Sequence, residues 1–168
     1  MINKTEIKKH LKEVKAYIKE LEGGLEWVEI NNTNCPTLKK YGVKPFRIMK
    51  KKMRKNGEVW NNITFYDAQK EAKKLGYRLP DIREILALLE QYRKVTKTIS
   101  CHDNEFLGIE ELSYDESVCY EWIEVAGVAA FRGGGWYDTT GDGPVALYLS
   151  HAPSSVDTSI GFRCASNL

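Results

Sequence analysis

Apolar residues at Ile7, Leu11, Val14, Ile18 and Leu21 recur at spacings of 4, 3, 4 and 3, which places them along one face of a helix that Gly23-Gly24 ends. Two heptads are short for a coiled coil, so this seam is expected to dock on its own domain, with pairing to other subunits as the alternative. The segment "LEWVEI" alternates and reads as a strand, and "NNTNCPTLKKYG" reads as loop. Two further helices carry start signals. Thr64 precedes "FYDAQKEAKKLG", with Asp67 three residues on, a stripe of Phe65, Ala68, Ala72 and Leu75, and Gly76 to end it. Asp81 is placed to cap the second, with Glu84 three on and a buried face of Ile82, Ile85, Leu86, Leu89 and Tyr92. The polar stretch from Thr98 to Ser117 reads as a long loop, and "CYEWIEV" and "VAAFRGG" as neighbouring short strands joined at Gly127.

The tail has a stricter beat. In "VALYLS", Val145, Leu147 and Leu149 fall on alternate positions and are assigned to the core face of a strand, with Ala146, Tyr148 and Ser150 on the free face. Beyond Pro153, Val156 and Ile160 are the expected anchors, with Ser155, Asp157 and Ser159 between them. Phe162 is the core residue of "GFRC", and Gly161 permits close approach. Arg132 and Arg163 lie beside core strands and are expected to pair a carboxylate such as Glu121 or Glu124. Trp122 and Trp136 read as framework aromatics, and Gly133 and Gly134 as the site of a bulge.

Composition narrows the class. A chain of 168 residues with 42% hydrophobic content suits one globular domain with an appended helix. "INKTEIKKHLKEVK" has no apolar leader, and no stretch approaches the roughly 18 apolar residues of a membrane span, so the chain reads as soluble. Cys35, Cys101, Cys119 and Cys164 form no Cys-x-x-Cys pair and are read as buried thiols or one bridge. The net charge of +2 hides an asymmetry: residues 1–95 hold 22 Lys+Arg against 12 Asp+Glu, giving +10, and residues 96–168 hold 3 against 11, giving −8. The run "KKKMRK" at Lys50 to Lys55, before Asn56-Gly57, suggests the exposed tip of a hairpin, either a solvated turn or a phosphate-binding patch.

Candidate chemistry is sparse. "CHD" at Cys101 to Asp103 with distant Cys119 lacks zinc-ligand spacing, and His151 has no partner ligand near it. "DTTGDG" has acids at the first and fifth places of a calcium loop and Gly at the sixth. Leu149 stands at the twelfth, where a Glu is required. "RGGG" does not have dinucleotide-loop spacing.

The motifs "RLPDIREILALL", "EWIEV", "FRGGGW" and "IGFRCAS", in this order, resemble the C-type lectin-like domain of the formylglycine-generating-enzyme type over about residues 45–168. The tail "FRGGGWYDTTGDGPVALYLSHAPSSVDTSIGFRCAS" resembles the variable proteins of diversity-generating retroelements, in which this part of the fold is rewritten at template adenines. The resemblance implies an α+β, C-type lectin-like fold of small antiparallel sheets with two helices, plus an N-terminal helix. Residues 1–24 would form that helix and 25–168 the domain, diversified over about 132–164. The diversified, ligand-binding positions it implies are Gly135, Tyr137, Asp138, Thr139, Tyr148, Ser150, His151, Ser155, Asp157 and Ser159, with Thr140 and Asp142 at the margin. Their residue types are those that Asn codons yield when adenines change.

The implied role is ligand display on a virion or cell surface, without enzymatic activity, cofactor or metal, by a chain expected to be monomeric. The partner is a protein or glycan on another cell or particle, with no nucleic acid and no membrane span. Two alternatives stand beside this role. One is a catalytically inactive relative of formylglycine-generating enzymes, since "GGGWYDTTGDG" lacks the cysteine pair on which that activity depends. The other is a nucleic-acid-binding module using the Lys-rich half.

Overall fold

The first and last strands of the domain lie in one sheet. A computed structural model describes residues 4, 6–12, 25–96, 105–110, 118, 120–133 and 143–168. Strand β1 (Trp27–Ile30) pairs antiparallel with β2 (Phe46–Met49), whose other edge takes the C-terminal strand β11 (Ala165–Asn167). Trp27 stands opposite Met49, and Ala165 opposite Ile48. Between β1 and β2, where loop was expected, Pro36–Lys39 form a 3-10 helix that buries Thr37 and Leu38. The chain from β2 to β11 is therefore an excursion that leaves this sheet and returns to it.

Two helices arise early in that excursion. Helix α2 (Phe65–Lys74) starts at Thr64, whose hydroxyl accepts from the Asp67 amide at 3.0 Å and buries Phe65, Ala68 and Ala72. Helix α3 (Ile82–Thr96) starts in a reciprocal cap: the Asp81 carboxylate accepts from the Arg83 amide at 2.8 Å, and Glu84 accepts from the Asp81 amide at 2.8 Å. Its buried face is Ile85, Ala87, Leu88, Leu89 and Tyr92, whereas Leu86, expected inside, is exposed. The domain covers this helix on a broad face, so Ala87 and Leu88 carry burial that a single stripe through Leu86 does not describe.

The second sheet has the order β10-β7-β8-β9. Strands β7 (Tyr120–Val125) and β8 (Val128–Gly133) form a hairpin turning at Ala126-Gly127, as read from the pattern. Strand β9 (Gly143–Tyr148) continues it antiparallel, and β10 (Ile160–Gly161) lies parallel to β7. The β8–β9 register shifts at Arg132/Gly133, where Gly133 has φ 122°, so the bulge falls at one of the two glycines predicted to allow it. Trp122 and Phe131 pack on the α2 side with Phe65 and Phe162, while Ile123 and Ala130 on the opposite face pack with Ile48, Ile85 and Leu88. Both faces of the hairpin are thus buried.

Two short hairpins complete the fold among the described residues. Strands β3 (Arg54–Lys55) and β4 (Glu58–Val59) turn at Asn56-Gly57. The end of the basic run, Arg54 and Lys55, is the exposed hairpin tip that was expected, but the run's first half is not. Lys52 is fully buried, its stem lying against Gly161, and Lys50 lies 3.4 Å from Glu26. Within the stretch assigned to a long loop, β5 (Glu105–Phe106) and β6 (Ile109–Glu110) form a hairpin that buries Phe106 and Ile109.

Residues 6–12 lie in helix α1, and every described residue there is exposed, Ile7 by 50% and Leu11 by 54%. The expectation that this seam docks on the domain is therefore not met at these two positions. Of the seam, Val14, Ile18 and Leu21 lie outside the described residues, as do Cys101, Cys119, Gly134 and Trp136. Cys35 and Cys164 are free, buried thiols, and burial pushes Cys164 up to about 12.

Candidate ligand-binding site

The tail reverses one sequence expectation. On β9 the order of sides is inverted: Leu147 and Leu149 are 41% and 64% exposed, and Tyr148 turns inward. Tyr148 stands opposite Phe131 in the register and stacks on it, with centroids 5.1 Å apart and planes at 11°. Tyr120 meets both rings edge-on, at 5.3 Å from Phe131 and 5.6 Å from Tyr148. Flat aromatic surface on the sheet face favours an aromatic cross-strand partner over a leucine, which decides the phase of the alternation. Val156, expected as an anchor, is 52% exposed, whereas Ile160 and Phe162 are buried as predicted.

Between Ser150 and Ser159 the chain is held by its main chain. The Phe65 amide donates to the Pro153 carbonyl at 3.0 Å, and the Asn62 amide to the Asp157 carbonyl at 3.1 Å. The Ser155 amide donates to Ala152 O at 2.9 Å, Ile160 to Asp157 O at 3.2 Å, and Tyr120 to Ser159 O at 3.0 Å. Asn61 adds a side-chain bond to Thr158 O at 2.7 Å. These bonds are indifferent to the side chains the segment carries.

Those side chains mostly face water. Ser150, His151 and Asp157 are exposed, and Ser155 and Ser159 are half-buried. The His151 ring meets Phe131 edge-on at 4.8 Å, so it sits on the rim of the aromatic cluster. Asp157 Oδ1 accepts from the Ser159 hydroxyl at 2.6 Å and the Ser159 amide at 2.7 Å, and these bonds, with the nearby His151, hold its carboxyl below the usual carboxylate range. The structure thus brings together Tyr148, Ser150, His151, Ser155, Asp157 and Ser159 on one segment. Gly135, Tyr137, Asp138, Thr139, Thr140 and Asp142 lie outside the described residues.

A buried ionic cluster forms between β7 and Arg163, two residues beyond β10. Arg163 makes a two-pronged pair with Glu121, at 2.9 and 2.7 Å, and donates to the carbonyls of Met49 and Lys50 at 3.1 Å each. This is one of the two carboxylates expected to serve it. Burial would raise the Glu121 carboxyl, but Arg163, Arg132 and Lys52 hold it below its ordinary value. Burial also lowers the Arg132 guanidinium to about 10, a shift that Glu121 opposes. Arg163 therefore ties β7 to the first sheet.

No family model matches the chain, and no curated protein does. Among solved structures it is similar to the Major Tropism Determinant U1 Variant, with a TM-score of 0.45 and 15% sequence identity. The match covers 86% of this chain and 50% of that one, so the chain spans about half the length of that structure.

A cavity of about 410 Å³ opens elsewhere, lined by Lys44, Arg78, Asp81, Arg83, Glu84 and Glu124 among others. It shares no residue with the tail segment. Arg78 is committed to Glu84 at 2.5 and 2.8 Å and to Asn167 at 2.8 Å, and Arg83 to Asp81 at 3.0 Å. Through Arg78 these bonds clasp the start of α3 to β11. Among the described residues no group of three His, Cys, Asp or Glu is placed to hold a metal, and no helix is long and apolar enough to cross a membrane. The sequence reading missed Leu149 and Val156 as surface residues, because apolar side chains at even spacing are more often core than contact.

Proposed function

We propose that this protein is a ligand-binding display scaffold of C-type lectin-like fold, a variable protein of the retroelement-diversified kind, whose exposed tail side chains sample different partners. The observation that carries this reading is the segment from Ser150 to Ser159. Its path rests on main-chain bonds to Asn62, Phe65 and Tyr120, while His151 and Asp157 point to solvent. A surface of this kind tolerates rewriting, since exposed substitutions usually shift stability by about 0.5 kcal/mol or less. The return of β11 to β2 and the two helices of the excursion are in keeping with the lectin-like fold. The role is binding without catalysis.

The partner we favour is a protein. Leu149 and Val156 add exposed apolar area among the polar positions, and Tyr148 and His151 add aromatic edges, a mixture suited to a protein patch more than to a sugar. The test is a display library randomised at Ser150, His151, Ser155, Asp157 and Ser159 and selected against a panel of purified proteins and glycans. Folded binders with affinities that depend on the randomised residues support the reading. A library that folds and yields no binder to any target contradicts it. Independently, a near-copy of the tail's coding DNA, differing at adenines, is expected beside a reverse-transcriptase gene.

A further inference from the structure

We propose, resting on the display reading of the tail, that Tyr66 is a fixed anchor of the binding surface: a constant aromatic contact outside the tail that a protein partner covers together with the variable side chains. The first observation is position. Three bonds lay residues 61–65 alongside residues 153–158. Asn61 Nδ2 donates to the Thr158 carbonyl at 2.7 Å, the Asn62 amide to the Asp157 carbonyl at 3.1 Å, and the Phe65 amide to the Pro153 carbonyl at 3.0 Å. Tyr66 follows Phe65 in the first turn of α2, and successive Cα atoms are about 3.8 Å apart. It therefore stands one residue away from a bond to the tail, at a place where Ser154, Val156 and Asp157 are exposed. A partner seated on those side chains meets the start of α2 as well.

The second observation is exposure without a duty in the fold. Tyr66 is 59% exposed, and among the described residues its ring meets that of Phe65 alone, edge-on at 6.0 Å. The buried stripe of α2 runs through Phe65, Ala68 and Ala72 and leaves Tyr66 off it. At the second position of a helix an acidic side chain suits the dipole and Ala the propensity, so a tyrosine there serves the helix in neither way. The ring does have a rigid base. Thr64 caps the helix through the Asp67 amide, and Phe65 is buried against Trp122 with centroids 5.9 Å apart. A large amphipathic side chain with few rotors, set on fixed backbone, is the kind that carries interface energy.

The third observation is size. A stable protein interface takes roughly 20–30 residues from each side. Ten positions are implied for the tail, and three of those described, Ser150, Ser155 and Ser159, are small serines. At least half of such an interface therefore falls on residues that do not vary. Tyr66 is the largest exposed side chain on the segment bonded to the tail. The constant ring would supply affinity common to all versions of the tail, and the variable side chains would choose among partners.

The experiment uses the full chain randomised at Ser150, His151, Ser155, Asp157 and Ser159 and selected against several unrelated purified proteins. Each binder then receives Tyr66→Ala, Tyr66→Phe or, as a control at the far end of α2, Lys73→Ala, and its affinity and thermal midpoint are measured. Tyr66→Ala is expected to weaken binding to most targets roughly tenfold or more with the midpoint unchanged. Tyr66→Phe should keep most of the affinity, and Lys73→Ala all of it. Binders indifferent to Tyr66→Ala, or weakened as much by Lys73→Ala, overturn the anchor and leave the display reading standing. A midpoint that falls along with affinity also overturns it, since the ring would then serve the fold. A folded library without any binder strikes the display reading itself, and the anchor with it.

Discussion

Leu147 and Tyr148 are adjacent on β9 and have opposite duties. Leu147 is 41% exposed, whereas Tyr148 stacks on Phe131 and meets Tyr120. Leu147→Ala is therefore expected to cost about 0.5 kcal/mol or less, as surface changes do. Tyr148→Ala should cost about 2–3 kcal/mol through lost ring packing, toward the lower end of aromatic truncations because the ring is half-buried. Paired urea melts check this, and a larger loss for Leu147→Ala contradicts the inverted register. The period of two was legible in "VALYLS", but its phase was not. Leu and Tyr can each serve as the inward residue, and the choice was made by Phe131 across the ladder.

At the scale of elements, local signals were the most legible. The caps at Thr64 and Asp81 act within three residues of themselves, so the chain carries the whole argument in one short window. The β5–β6 hairpin was missed because it turns on Leu107-Gly108, without Asn-Gly or Asp-Gly to announce it. Glu121 and Arg163 were recognisable as candidates for pairing, yet their meeting depends on β10 lying parallel to β7 across 42 residues of chain. Removing one partner leaves the other buried and unmatched, so Glu121→Gln is expected to cost about 3–5 kcal/mol at neutral pH. The sign of the pH effect follows from the lowered carboxyl. A carboxylate depressed in the folded state contributes its stability above the ordinary value of 4.5 and loses it as pH falls through the folded value. Urea midpoints measured from neutral pH into the acid range should therefore fall less steeply for Glu121→Gln than for the parent. Equal slopes would show that Glu121 is not charged in the fold.

For the molecule as a whole, the charge asymmetry read from the sequence does not become a basic binding face at the β3–β4 hairpin. Before that hairpin Lys52 is buried and Lys50 is close to Glu26, which leaves only Arg54 and Lys55 as exposed cations at its tip. Binding to duplex DNA is accordingly expected to be weak and to vanish with modest salt, which a gel-shift series over ionic strength checks. A tight complex surviving physiological salt would favour the nucleic-acid alternative. The mixed plan of helices and small sheets was largely legible in the sequence, since strands and helices follow from local composition and spacing. What the spacing could not supply was the way Asn62 and Phe65 hold the tail, because those bonds join segments about ninety residues apart through backbone atoms that every residue has.

That hold is the centre of the account, and one variant tests it most directly. Replacing Ser150, His151, Ser155 and Asp157 together by Ala leaves every main-chain bond of the segment available and removes the Asp157 cap on Ser159 and the edge contact of His151 on Phe131. The summed loss in a urea melt is expected to be about 2 kcal/mol or less, roughly 1 of it from the cap. Affinity for a partner selected against the parent tail should collapse at the same time. A loss of about 4 kcal/mol or more, the size of a core truncation, would mean that these side chains hold the fold, and the segment would then not be a display surface.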